Sequence, residues 1–184
     1  MRKTVGIVLM FIVFFLFAGI VKAEKIAGGS ALISYNENQS NAYTNSTIKK
    51  LTIKRLLERY SSPLLGATDA FINACTTYNL DCYLLPSITG LESFFGKYVY
   101  PGSANPFGWG GGYIVFDKWE DSVMTVGKGL RENYINKGAD TVEKIAPIYA
   151  SNPAWADKVK YFMAQFEKEE ENVRLLLGQN TVQL

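Results

Sequence analysis

A glutamate at the end of an apolar helical pattern is the residue of this sequence best suited to chemistry. Glu92 follows Leu85 by seven residues and Ile88 by four, so on a continuous helix its side chain projects from the apolar stripe. Partial burial disfavours an ionised carboxyl group and raises its pKa, as a general acid working near neutral pH requires. Glu92 is therefore a candidate catalytic acid. The alternative is a structural glutamate that caps a helix or pairs with a buried Arg or Lys.

A loop rich in glycine and aromatic residues follows this glutamate. Asn105-Pro-Phe-Gly-Trp109 precedes three further glycines, and glycine lets the backbone approach a ligand closely. Exposed aromatic rings offer flat surfaces for the faces of sugars. A carboxylic acid beside such a loop is typical of a glycosidase cleft, and core packing of Phe107 and Trp109 is the alternative.

The composition excludes several other chemistries. The chain has no histidine, which excludes a Ser-His-Asp or Cys-His nucleophilic apparatus and the His-rich zinc sites of metallopeptidases. No cofactor motif is present and nothing requires a metal, so we expect neither a cofactor nor a metal ion.

The N-terminal segment predicts export. Arg2 and Lys3 precede an apolar run over residues 5–20, and Val21-Lys-Ala23 has the small-residue spacing of a signal peptidase site. We predict a signal peptide over residues 1–23 and an extracellular, periplasmic or cell-wall location. An uncleaved membrane anchor over residues 5–20 is the alternative, and only in that case is a membrane an expected partner.

The charge balance argues against nucleic acid as a partner. Removing Arg2, Lys3 and Lys22 with the leader reduces the 19 basic residues to 16, against 17 acidic ones. This balance provides no clustered basic face for nucleic acid.

Apolar spacings of three and four residues beyond the leader predict a mainly α fold. Residues 24–47 are rich in Ser, Asn and Thr, which predicts a flexible tether before a folded domain over residues 48–177 and a tail over 178–184. Prolines and glycines break the helical pattern over residues 96–119, where Tyr113–Phe116 is the predicted strand of a small β-hairpin or lip. The acidic run from Glu167 to Glu171 is predicted to face solvent.

Two blocks of the sequence resemble a known family. The stretch from Tyr78 through Leu91-Glu-Ser-Phe-Phe-Gly96 resembles the helix that carries the catalytic glutamate in bacterial peptidoglycan hydrolases and lytic transglycosylases of the lysozyme superfold. Asn105-Pro-Phe-Gly108 resembles the Asn-x-Phe-Gly loop of glycoside hydrolase family seventy-three, the mannosyl-glycoprotein endo-β-N-acetylglucosaminidase-like domain. The similarity continues through Ile145–Tyr149 and Trp155–Val159 and covers residues 50 to 168.

The resemblance implies a lysozyme-like helical domain that acts on the β-1,4 linked amino-sugar backbone of peptidoglycan. It implies that Glu92 protonates the leaving glycosidic oxygen and that Tyr149 is the cleft tyrosine near the scissile sugar, although Tyr149 also continues an apolar stripe that suits a core residue. We expect a monomer whose partner is the glycan strand. The candidate substrate-binding residues are Ser93, Asn105, Phe107, Gly108 and Trp109.

The resemblance leaves the second carboxylate open. Family members that use one draw it from the lip after the glycine-rich loop, where Asp117, Glu120 and Asp121 are available. A separation of about 5 Å from Glu92 indicates a covalent retaining route, and about 6.5 to 9.5 Å leaves room for an attacking water. Asp121 has a rival explanation as a helix N-cap. A single-glutamate enzyme instead lets the sugar attack itself, through its N-acetyl group or by closing a 1,6-anhydro ring.

The only two cysteines, Cys75 and Cys82, are predicted to form a disulfide in an oxidising compartment. The alternative is a pair of buried thiols that never meet. Cys82 stands where the family commonly has proline, and Phe94-Phe95 stand where a smaller residue and a tryptophan are common. The first departure fits the disulfide, and the second alters the shape of a sugar subsite.

These observations favour an exported glycosidase that cuts peptidoglycan, with a hydrolase preferred over a lytic transglycosylase. Two hypotheses from other classes are a catalytically silent wall-binding module and a membrane-anchored scaffold for protein partners.

Overall fold

The computed structural model describes the backbone of residues 37–179 and the side chains of residues 44–178. The predicted signal peptide, residues 24–36 of the predicted tether and residues 180–184 lie outside the described residues. Within the described part, no helix combines the length and apolarity needed to cross a membrane.

The mainly α fold is confirmed, and no strand occurs between residues 37 and 179. The same part of the chain also contains one π-helix, Leu130–Tyr134, and two short 3₁₀-helices, Pro63–Ala67 and Ile135–Lys137. The six α-helices are α1 (Glu37–Arg59), α2 (Thr68–Thr77), α3 (Leu84–Ser93), α4 (Trp119–Gly129), α5 (Val142–Tyr149) and α6 (Trp155–Gln179).

The predicted strand at Tyr113–Phe116 is wrong. Gly110, Gly111 and Gly112 all have positive φ values, between 63° and 83°, so the chain turns immediately before this segment instead of running alongside a partner. The Phe116 N–H donates to the Ser103 carbonyl at 2.8 Å, and no ladder of hydrogen bonds follows. The segment is therefore an exposed lip.

The domain boundaries also differ from the prediction. Helix α1 begins at Glu37, so residues 37–47 are helical where a flexible tether was predicted, and α6 continues to Gln179, inside the predicted tail. The polar composition of residues 37–47 supplies no apolar stripe of its own. Tertiary contact supports this turn of helix instead, because Arg174 of α6 donates to Asn45 Oδ1 at 3.2 Å.

Helix α3 lies at the centre of the packing. Every residue from Tyr83 to Gly90 is buried, and α3 contacts α2, α4 and α6. Gly90 permits the closest of these contacts, since a Cβ atom there would lie 2.8 Å from the Phe95 ring and 3.0 Å from the Phe162 ring. Only the last turn of α3 reaches the surface.

Two left-handed residues end α3. Phe94 and Phe95 have φ values of 49° and 59°, a conformation that costs about 1–3 kcal/mol for each non-glycine residue. The reversal sends the Phe95 ring into the core, where it is fully buried and lies 4.4 Å from the Tyr60 ring and 5.3 Å from the Phe162 ring between centroids. Burial of the Phe95 side chain, which contributes about 1.5–3 kcal/mol, offsets the strain.

The disulfide between Cys75 and Cys82 is confirmed, with a Cα–Cα distance of 4.9 Å. Cys75 lies in α2, and Cys82 lies in the turn that leads to α3. The bridge therefore fastens the connection that enters the central helix.

A buried carboxylate joins α1 to α6. Glu169 is 1% exposed and accepts hydrogen bonds from Arg59 and from Arg55 Nε, the latter at 2.6 Å. The prediction that the whole acidic run faces solvent is wrong at this residue, because two arginines of the neighbouring helix supply its hydrogen bonds. Burial acts to raise the pKa of Glu169, but hydrogen bonds from Arg55, Arg59 and Asn172 outweigh it and hold the pKa below its usual value.

Replacing this carboxylate is expected to weaken the fold in a pH-dependent way. A folded-state pKa below the unfolded value stabilises the fold above about pH 4.3, and this stability is lost as the pH falls through the folded pKa. Glu169→Gln should lower the free energy of unfolding at pH 7 by about 1–3 kcal/mol, with a smaller difference at pH 3, in urea titrations followed by circular dichroism. The control is Glu171→Gln, at an exposed site, expected within about 0.5 kcal/mol of the native chain. Glu169→Gln and Glu171→Gln that lose equal amounts of unfolding free energy at pH 7 contradict the prediction.

Candidate active site

Glu92 lies in the last turn of α3, where the central helix reaches the surface. Its Oε1 accepts a hydrogen bond from Trp155 Nε1 at 2.7 Å. Its Oε2 lies 3.7 Å from the position that a Cβ atom would occupy on Gly108. The hydrogen bond from Trp155 fixes the orientation of the carboxyl group, and the residue as a whole remains exposed.

Two opposing effects act on the proton of this carboxyl group. Partial burial raises the pKa of Glu92, and the hydrogen bond from the Trp155 indole lowers it, with a net rise. No neighbouring acid contributes to this shift. A raised pKa is what the position of Glu92 on an apolar stripe predicted.

A cluster of four aromatic rings extends from the carboxyl group. Trp155, which is buried at the start of α6, lies 4.9 Å from Tyr149 between ring centroids. Tyr149 in turn lies 5.8 Å from Trp109 and 6.2 Å from Tyr134. Tyr149, the tyrosine predicted to lie near the scissile sugar, is therefore linked to Glu92 through the ring of Trp155.

A cavity of about 350 Å³ opens beside these rings. It is lined by three aromatic residues, Trp109, Tyr134 and Tyr149, and by three glycines, Gly108, Gly110 and Gly111. Gly129 of α4 makes room for Trp109, because a Cβ atom there would lie 2.6 Å from Trp109 Cζ2. The arrangement pairs flat rings with bare backbone, which suits a ligand with flat apolar faces and polar edges.

Two larger cavities, of about 690 and 620 Å³, lie around α5. Glu92 lines none of the three cavities, but only the smallest of them is lined by predicted site residues, namely Gly108, Trp109 and Tyr149. Gly108 connects this cavity to Glu92, whose Oε2 lies beside it.

Three predicted substrate-binding residues hold the loop instead of facing the cavity. Asn105 Oδ1 accepts from the Trp109 N–H at 3.0 Å, and Asn105 Nδ2 donates to the Trp109 and Ile114 carbonyls at 2.9 and 3.0 Å. Ser93 Oγ donates to the Pro106 carbonyl at 2.8 Å, and Phe107 is fully buried. These three side chains are buried, whereas Gly108 and Trp109 line the cavity, and contact of all five residues with substrate stays a prediction.

The structure singles out none of the candidate second carboxylates. Asp117 is exposed, and Glu120 and Asp121 lie half-buried in the first turn of α4. The N-cap explanation for Asp121 is wrong, because α4 begins at Trp119 and its N-cap is Lys118. Between residues 44 and 178, no group of three or more acidic or cysteine side chains is placed to hold a metal ion.

Sequence reasoning missed the partner of Glu92. The sequence gives Trp155 no role at the site, yet its Nε1 orients the candidate acid. The available signal was chemical, because a buried indole N–H normally finds an acceptor. Which acceptor it finds, 63 residues away in sequence, depends on how α3 and α6 pack.

No family model matches this chain, and no curated protein is significantly similar to it. The geometry around Glu92 therefore carries the functional argument.

The raised pKa of Glu92 predicts how its replacement affects stability. An acid whose folded pKa exceeds the unfolded value makes the fold less stable as the pH rises from about 4.3 through the folded pKa. Glu92→Gln has no such titration, and its amide oxygen can still accept from Trp155. We expect a higher melting temperature than the native chain at pH 8 and no difference at pH 4. Thermal unfolding measured between pH 4 and pH 8 tests this expectation, with Glu171→Gln as the control. A Glu92→Gln variant that melts at a lower temperature than the native chain at pH 8 contradicts it.

Proposed function

We propose that this chain is an exported glycosidase that cleaves the β-1,4 linked amino-sugar backbone of bacterial peptidoglycan, with Glu92 as the general acid. One observation carries the proposal. A solvent-accessible glutamate with a raised pKa is fixed by Trp155 beside Gly108, next to a cavity walled by aromatic rings and glycines.

The two carboxyl oxygens of Glu92 have different tasks in this mechanism. Oε1 accepts the Trp155 N–H, so the transferable proton resides on Oε2, the oxygen nearer Gly108. This proton passes to the leaving glycosidic oxygen as the bond to the anomeric carbon breaks, and positive charge develops on the sugar ring. In the hydrolase a water molecule then bonds to the anomeric carbon and loses a proton, which restores the acid and leaves a reducing end. The aromatic wall holds the flat face of the sugar while the glycines let it approach.

A second candidate reaction uses the same acid in a lytic transglycosylase. No neighbouring carboxylate contributes to the pKa of Glu92, which supports a route with one carboxyl group. In that route the 6-hydroxyl oxygen of the sugar attacks its own anomeric carbon and the glycosidic bond breaks. The leaving oxygen takes the proton of Glu92, and the carboxylate then takes the proton of the 6-hydroxyl group. The product carries a 1,6-anhydro ring instead of a reducing end.

The disulfide is consistent with the proposed location. Cytosolic proteins rarely keep disulfides, whereas exported proteins commonly do. The Cys75–Cys82 bridge and the predicted signal peptide therefore support export together, and the glycan strand is the proposed partner.

Digestion of purified peptidoglycan by residues 24–184 tests the proposal. We expect the native sequence to release soluble fragments and Glu92→Gln to be about 100-fold slower or more, because general acids contribute about 10²–10⁴-fold. Mass spectrometry of the fragment ends distinguishes reducing from anhydro products. Asp117→Asn, Glu120→Gln and Asp121→Asn identify any second carboxylate, and Glu171→Gln is the matched control. Equal activity of the native and Glu92→Gln forms overturns the proposal, and binding without cleavage by the native form leaves a wall-binding module.

The indole of Trp155 should set the upper pH limit of activity. Trp155→Phe keeps a ring beside Tyr149 but removes the N–H that lowers the pKa of Glu92. Because the acid must be protonated to react, the alkaline limb of the pH profile of kcat/KM should move to higher pH. Loss of orientation should also reduce the maximal rate about tenfold. Trp119→Phe, outside the aromatic cluster, is the control. An alkaline limb that stays in place or moves to lower pH contradicts this role.

A further inference from the structure

Two tyrosines line the cavity, and their hydroxyl groups differ in what they bind. The Tyr149 hydroxyl donates to the Phe107 carbonyl at 2.9 Å, so it is used within the protein and ties α5 to the glycine-rich loop. The Tyr134 hydroxyl makes no hydrogen bond with any group between residues 44 and 178. A polar group on a cavity wall without a protein partner is available to a ligand.

An irregular turn brings Tyr134 to this wall. Helix α4 ends at Gly129, and the chain continues as the π-helix Leu130–Tyr134. Single π turns inside helical segments occur frequently at functional sites. The Tyr134 ring then lies 6.2 Å from both the Trp109 and the Tyr149 rings. Burial raises the pKa of Tyr134, so its phenol stays protonated and can donate a hydrogen bond.

The glycines that line the cavity carry further hydrogen-bond donors. The backbone N–H groups of Gly108, Gly110 and Gly111 donate to no described group. The residues that line the cavity therefore carry one hydroxyl and three amide donors with no partner among the described residues, together with flat aromatic rings. A ligand that matches it carries a hydrogen-bond acceptor next to a flat apolar face, as the amide carbonyl of an N-acetylated sugar does.

We infer that Tyr134 is a substrate-binding residue whose hydroxyl recognises the N-acetyl group of an amino sugar stacked in the cavity, while Tyr149 braces the loop. The inference rests on the proposed function and deepens it. It divides the roles of the two tyrosines, and it makes the cavity selective for N-acetylated over unmodified sugars.

Binding is measured first without turnover. Calorimetric titration of the full chain carrying Glu92→Gln uses chitotetraose, a β-1,4 tetramer of N-acetylglucosamine, and cellotetraose, the same tetramer of glucose. We expect Glu92→Gln to prefer chitotetraose. Adding Tyr134→Phe should weaken chitotetraose binding about three- to tenfold, the loss expected for one hydrogen bond, and leave cellotetraose binding unchanged.

Kinetics and stability separate a binding role from a structural one. In the chain with Glu92 intact, Tyr134→Phe should raise KM for peptidoglycan by a similar factor, with kcat and the melting temperature nearly unchanged, because its hydroxyl has no partner in the described protein. Tyr149→Phe removes the bond to Phe107 and should lower the melting temperature. This contrast makes Tyr149→Phe the matched control.

Each outcome decides the inference. Unchanged chitotetraose affinity and KM in Tyr134→Phe overturn it, as does a melting temperature lowered as much as in Tyr149→Phe. If cleavage depends on Glu92 but not on Tyr134, the inference fails and the proposed function stands. If the native chain neither binds nor cuts glycan, both fail.

Discussion

The burial of α3 is the constraint on which the rest of the structure depends. Because every residue from Tyr83 to Gly90 is buried, this helix can present a polar group to solvent only at its C-terminal end. Glu92 occupies that end. Two left-handed phenylalanines then turn the chain back, so that the Phe95 side chain is buried in the core. The candidate acid thus lies where the buried central helix reaches the surface, and Trp155 fixes its orientation there.

The residues that position the site are buried, and those that face the cavity are rings and glycines. Ser93 and Asn105 bind backbone groups of the glycine-rich loop, and the Tyr149 hydroxyl holds the same loop from α5. Ser93 and Tyr149 thus anchor the loop from two helices, and Asn105 holds it together from within. Their combined effect is to place Gly108 beside the Glu92 carboxyl group, which a glycine-rich loop without anchors could not maintain against its own conformational entropy.

The sequence predicts those features that depend on local spacing. The helical stripes, the disulfide across one turn and the partly buried carboxyl group of Glu92 all follow from residues close together in the chain. Features that depend on packing between distant helices do not. The polar run that contains Glu169 looks like a solvated face until Arg55 and Arg59 are placed against it. Asn105 resembles a ligand-binding residue until its three hydrogen bonds are found within its own loop. Trp155 is indistinguishable from other core aromatic residues until α6 lies against α3.

The choice of a tryptophan as the partner of Glu92 matters for the proposed chemistry. A Lys or Arg in its place would stabilise the carboxylate and hold its pKa low, which would leave no proton to donate. A neutral indole N–H constrains the carboxyl group with a weaker preference for the ionised form, because Oε1 can accept it in both protonation states. Oε2 is then free to release a proton and to take one back in the same position. That property suits a reaction run by one carboxyl group, in which the acid that frees the leaving sugar also serves as the base that completes the ring closure.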